Sequence, residues 1–176
     1  KESDYNACLN FMKVPLGDKR GRNEVFKPKP DMNVVLQGLR EGRNHPDDMA
    51  GMVRLLQRFH DIFYIHKAIE IWTHGDVMIA QIIANAERMH QIINENPHNE
   101  IQITAINNTI SAINERITVL EYDFSYTLSE GYRWLEGLVL TILVLTAITI
   151  ELKGLLMSDV LNKGIKKSGK SLTDSA

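Results

Sequence analysis

The sequence has few of the residues that most often carry chemistry. A single cysteine, Cys8, stands among 176 residues. That excludes an internal disulfide framework and a multi-cysteine zinc site. The 5 prolines and 11 glycines are scattered without period, so the chain is neither collagen-like nor a low-complexity linker. No sign of charge dominates: the formal net charge is −2, which gives none of the electrostatic footprint of a nucleic-acid binder. There is no phosphate-cradling glycine loop, no strand-borne nucleophile and no His-Glu-x-x-His. A di-iron bundle needs Glu-x-x-His on two helices, and only one expected helix offers it, at Glu87 and His90. These gaps point to a chain with no catalytic residues, no metal and no cofactor, and hence not to an enzyme.

What the chain does have is hydrophobic patterning and an uneven charge. Hydrophobic residues make up 44%, too many for a disordered chain. Residues 1–30 carry a net +3, residues 31–150 a net −7 and residues 151–176 a net +2. Three charge regimes along one chain imply three different surroundings.

Residues 137–150 hold no charged side chain. Extended to Trp134–Leu152 the stretch has 19 residues, about 28 Å of helix, which approaches the ~20 residues of a bilayer span. Glu136 and Glu151 fall near its two ends, Tyr126, Tyr132 and Trp134 precede it, and Lys153, Lys163, Lys166, Lys167 and Lys170 follow it. By the positive-inside rule the tail 153–176 is expected in the cytoplasm and residues 1–133 outside. That orientation requires a signal peptide or another membrane helix before Lys1.

Outside that stretch the periodicity is helical and no segment reads as a strand. Ile103, Ile106, Ile110, Ile113, Ile117, Leu120 and Phe124 recur at alternating steps of 3 and 4, an unbroken heptad seam. In phase it continues through Thr127 and Gly131 toward Trp134. A second seam, Ile65, Ile69, Trp72, Ile79, Ile83, Ala86 and Ile93, has two polar residues in phase, Asp76 and His90. They lie fourteen residues apart on one helix and cannot touch. Each needs a partner from elsewhere, because a lone buried charge is costly. A register-setting polar layer accounts for them; they are also the two candidate ligand-binding residues. The loop Asn96-Pro97-His98-Asn99 joins the two seams, and a short loop makes antiparallel neighbours. Met49, Met52, Leu56, Phe59 and Phe63 form a third seam that loses phase at Tyr64. Its start reads as a capped helix, with Asn44 as the cap, Pro46 in the first turn and Asp47 and Asp48 at the positive end of the dipole. Val34, Val35, Leu36 and Leu39 give a shorter helix ending at Gly42. Residues 12–31, with Pro15, Gly17, Gly21, Pro28 and Pro30 among charges, read as loop, and the whole of 1–31 as an irregular segment. The expected fold is therefore an all-α antiparallel bundle of about four helices over 32–133, continuing into a membrane helix at 134–152.

The regular 3.5-residue period implies a mating seam, since a helix on one irregular core drifts at 3.6. Ile106, Ile113 and Leu120 are accordingly expected at an interface, with the neighbouring helix or with a second copy in a homodimer.

Asn44-His45-Pro46-Asp47-Asp48, Phe59-His60, Ala68-Ile69-Glu70-Ile71-Trp72 with Gly75-Asp76, and Phe124-Ser125 with Leu128 and Trp134 make a distinctive set. Over about residues 34–150 the chain resembles the helical extracytoplasmic sensor segments of bacterial membrane-bound diguanylate cyclases, phosphodiesterases and histidine kinases. The resemblance implies a signal-transducing role in the inner membrane and no catalytic residues. It also implies an output domain beyond the membrane helix, whereas residues 151–176 form a short Lys/Gly/Ser-rich tail without such a pattern. The alternative is an accessory subunit of a membrane complex. The expected partners are then the membrane, a second copy or another subunit, and a small molecule of unspecified class; nucleic acid is not among them.

Overall fold

The computed structural model describes residues 2–173, with side chains over 2–164. Five helices follow one another: α1 (Glu2–Val25), α2 (Met32–Glu41), α3 (Pro46–Phe59), α4 (Phe63–Glu95) and α5 (Glu100–Thr173). No strand occurs among the described residues, so the all-α class holds. The chain divides into two compact units, Lys1–Gly131 and Tyr132–Ala176.

In the first unit the apolar core is small and sits where α1, α2 and α3 meet. Val25, Val35, Leu39, Met49, Val53 and Leu56 are buried there, with Leu36, Met52 and Ile69 packed against them. The third seam thus supplies Met49, Met52 and Leu56 to the core. It ends at Phe59, and the loss of phase near Tyr64 is the turn between α3 and α4.

The expectation of an irregular segment over 1–31 is corrected: residues 2–25 are helix, with Pro15 inside it. Local preference argues against that helix, because an interior proline costs about 3 kcal/mol and each glycine about 1 relative to alanine. Tertiary packing overrides it. Gly17 and Gly21 on α1 and Gly38 on α2 let two backbones touch. A Cβ at Gly38 would lie 2.5 Å from the Gly21 nitrogen and 2.8 Å from the Gly17 carbonyl oxygen. One at Gly17 would lie 2.7 Å from Glu41 Cβ. The glycines that read as loop formers are instead the flat face of a close helix crossing, the same device that small-xxx-small spacing provides in membrane helices.

The expected cap at Asn44 also moves. His45 is the N-cap of α3, its Nδ1 accepting from the Asp47 N–H at 3.3 Å, with Pro46 at the helix start and Asp47 and Asp48 in the first turn. Asn44 closes α2 instead. Its backbone N–H donates to the Leu39 carbonyl and the Arg43 N–H to that of Arg40. This is a Schellman closure. The left-handed residue in it is Arg43, at φ 60°, whereas Gly42 has φ −67°. A Cβ at Gly42 would displace the Asp18 carboxylate, which accepts from Asn44.

α4 and α5 form the expected hairpin around Asn96–Asn99. Trp72 meets Phe124, ring centroids 6.0 Å apart, and Gly131 lies against Tyr64; both contacts fit an antiparallel register. Along α5 the seam residues are the covered ones. Ile106, Ile113 and Thr127 are buried, and Ile103, Ile110, Ile117, Leu120 and Phe124 are half-buried, while the residues between them are exposed. Of the residues expected at an interface, Ile106 and Ile113 are thus buried within a single chain and Leu120 is half-buried; a two-helix hairpin can cover a heptad seam without a second copy.

In the second unit every residue from Tyr132 to Gly164 is exposed. α5 is long and apolar enough there to cross a membrane, and none of its apolar stretch is buried within the chain. Lys166, Lys167 and Lys170 lie outside the residues whose side chains are described.

Candidate functional site

Asp76 and Trp72 stand one turn apart on α4 and so share a face. That face is turned to α1. Arg22, which is 1% exposed, donates from Nη2 to Asp76 Oδ2. Its guanidinium carbon sits 4.6 Å from the centroid of the Trp72 ring, a cation–π distance. One turn earlier on α1, Asp18 accepts from Asn44 Nδ2 at 2.6 Å. Burial raises the Asp18 carboxyl above its ordinary value; the Asn44 hydrogen bond and Arg22 oppose that rise and Asp76 adds to it. Arg22 Nη1 and the Thr127 hydroxyl are buried without a hydrogen-bond partner. A buried donor left unpaired typically costs about 1–3 kcal/mol, so the ion pair is incompletely satisfied.

Beside this pair lies a groove of about 130 Å³ between α1, α4 and α5, walled by Pro15, Trp72, Gly75, Ile79, Leu120 and Phe124, with Asp76 and Glu121 as its acidic members. The groove is mostly apolar and holds no group able to act as an activated nucleophile.

His90, the second polar seam residue, is also met by α1. Tyr5 stacks on it with centroids 4.0 Å apart and planes 9° from parallel. Glu2 lies 3.4 Å from His90 Nε2, and Asn94 is 3.1 Å from the same nitrogen. Asp76 and His90 therefore belong to two places on α4, each partnered by the helix that the sequence reading left irregular. Among the described residues no group of three or more His, Cys, Asp or Glu could hold a metal ion.

Sequence reasoning singled out Asp76, and Gly75 beside it, but missed Arg22 and Asp18. The legible signal for Arg22 was the Gly17-x-x-x-Gly21 spacing immediately before it, which places it on a helix that packs closely. No protein-family model matches the chain, and no curated protein or solved structure matches it.

Proposed function

We propose that the chain is an extracytoplasmic helical sensor module of a bacterial inner-membrane protein, which passes a ligand- or partner-induced helix shift through the membrane. One observation carries the reading. Leu120, Glu121 and Phe124, which wall the groove, belong to the same helix, α5, as the unburied apolar stretch. A ligand in the groove would touch the element that enters the bilayer, and a change in helix position or rotation is a known form of switching. The groove offers binding surface without reactive groups, which suits recognition better than catalysis.

In this reading Trp134–Leu152 spans the membrane, residues 1–133 lie outside and the tail lies in the cytoplasm. Homodimerisation remains part of the proposal, through a face other than the seam. Val119, Tyr122 and Tyr126 are more than half exposed on α5, and the two tyrosine rings stack 6.3 Å apart. The same face would serve an accessory subunit of a membrane complex, the second reading.

Cysteine labelling tests the topology. In a Cys8→Ser background, a cysteine at Ser168 should react with an impermeant maleimide only after cells are permeabilised. Reaction in intact cells would reverse the orientation and remove the sensor reading.

A further inference from the structure

We propose that the groove between α1, α4 and α5 binds a small organic cation, an ammonium bearing methyl groups or a short hydrocarbon; this deepens the sensor reading by giving its ligand a chemical class.

The first observation is Gly75. It sits in the middle of the 33-residue helix α4, where glycine is disfavoured relative to alanine. The packing of the chain does not require it: a Cβ built there meets nothing within 4 Å. That separates it from Gly17, Gly21 and Gly38, whose Cβ atoms would strike a neighbouring helix. Gly75 is a wall of the groove, so what its missing side chain leaves open is the groove itself.

The second observation is the chemistry of the walls. Trp72 and Phe124 both wall the groove and touch edge-on, at 62° with centroids 6.0 Å apart, and Arg22 lies over the Trp72 ring. Aromatic faces attract cations, and quaternary ammonium groups are recognised in this way. Asp76 and Glu121 are the charged wall residues, and among the described residues no lysine, arginine or histidine lines the groove. The cation nearby, Arg22, comes from α1 and is committed to Asp76. Asp18 faces the same pair from α1. Asp76 is balanced by Arg22, whereas Glu121 has no ion-pair partner among the described residues, so the uncompensated charge on the groove wall is negative. The volume, about 130 Å³, is close to the ~150 Å³ of an engineered cavity that takes a benzene. A groove of that size suits a compact cation.

Three isosteric probes separate charge from shape: choline, its neutral isostere 3,3-dimethylbutan-1-ol and its anionic isostere 3,3-dimethylbutanoate. Each is titrated calorimetrically into the full chain in dodecyl maltoside. Choline should bind saturably, the alcohol at least tenfold more weakly and the carboxylate not at all. Glu121→Gln should weaken choline several-fold and leave the alcohol unchanged. Gly75→Leu should abolish choline binding, while Gly51→Leu, equally open but away from the groove, should not. If Gly75→Leu loses helicity, Gly75→Ala replaces it, with a partial loss expected. Equal affinity for the alcohol, preference for the carboxylate, or no saturable binding of choline to the parent chain overturns the proposal. Choline binding with the expected selectivity, but with no change in the labelling rate of a cysteine at Ser158, supports the site and tells against signal transmission. The two readings can therefore fail separately.

Discussion

Arg22 of α1 and Asp76 of α4, 54 residues apart in the chain, form an ion pair in which both side chains are almost wholly buried. Such a pair is not in itself a large source of stability, because desolvation of both charges offsets their attraction. Its removal by halves is another matter. Asp76→Ala leaves a buried guanidinium without its counter-charge and should destabilise the chain by about 3–5 kcal/mol. The double substitution Arg22→Met with Asp76→Leu should recover most of that loss. Thermal unfolding followed by circular dichroism compares the three variants. A double variant as unstable as the single one would contradict the account.

The glycines divide into two classes with opposite expected responses. Gly38→Ala drives a Cβ to 2.5 Å from backbone and should destabilise by about 1–3 kcal/mol, the range for overpacking. Gly51→Ala and Gly75→Ala meet nothing and should stabilise their helices by up to about 1 kcal/mol. Denaturant midpoints of the three variants read this sign directly.

Ile113 and Ile101 lie on one helix but differ in burial, 6% against 85% exposed. Ile113→Ala should cost about 2–5 kcal/mol, the range for truncating a buried aliphatic side chain. Ile101→Ala should be within about 0.5 kcal/mol of the parent. The Ile113 loss should be independent of protein concentration, since its side chain is covered within one chain. A concentration-dependent loss would place a second copy on the seam.

Two carboxylates near the α1–α2 contact titrate with opposite sign. Burial raises Asp18 above 3.8, so the folded state holds its proton more tightly than the unfolded state. The stability it contributes is full below 3.8 and is lost as pH rises through the folded value. Glu24 is lowered from 4.5, first by its hydrogen bond from Lys27 and then by the Asp31 N–H. Its contribution is present above 4.5 and is lost as pH falls through the folded value. Asp18→Asn should therefore gain on the parent as the pH is raised from acid to neutral. Glu24→Gln should lose to the parent at neutral pH and match it in acid. Melting temperatures between pH 3 and 7 test both, as roughly the window in which carboxylates titrate.

The seam from Ile103 to Phe124 was legible because burial and hydrophobicity coincide there at a regular period. The hairpin followed from that seam and a four-residue loop containing a proline. α1 was illegible for the converse reason. Its buried residues are Gly17, Gly21, Arg22, Glu24 and Val25, and only Val25 is a large apolar residue. A helix that packs by backbone approach and by an ion pair leaves no hydrophobic period. Asp76 stood out by phase on its own helix, yet its partner lies on α1 and nothing local announces the pairing. The move of the cap from Asn44 to His45 has a similar origin. Asn44 suits either role, and the closure of α2 together with Asp18 claims it first.

The glycine crossing has a mechanical consequence. With Gly17 and Gly21 seated against Gly38 at backbone distance, turning α1 about its own axis would bring the side chain of Asp18 or Arg20 into the backbone of α2. The two helices are keyed against mutual rotation and move as one piece. α4 and α5 meet through longer side chains, such as Trp72 on Phe124, whose rotamers can change without breaking backbone contact. The side-chain contact of the hairpin is therefore the softer of the two, and the backbone contact of the glycine pair the stiffer.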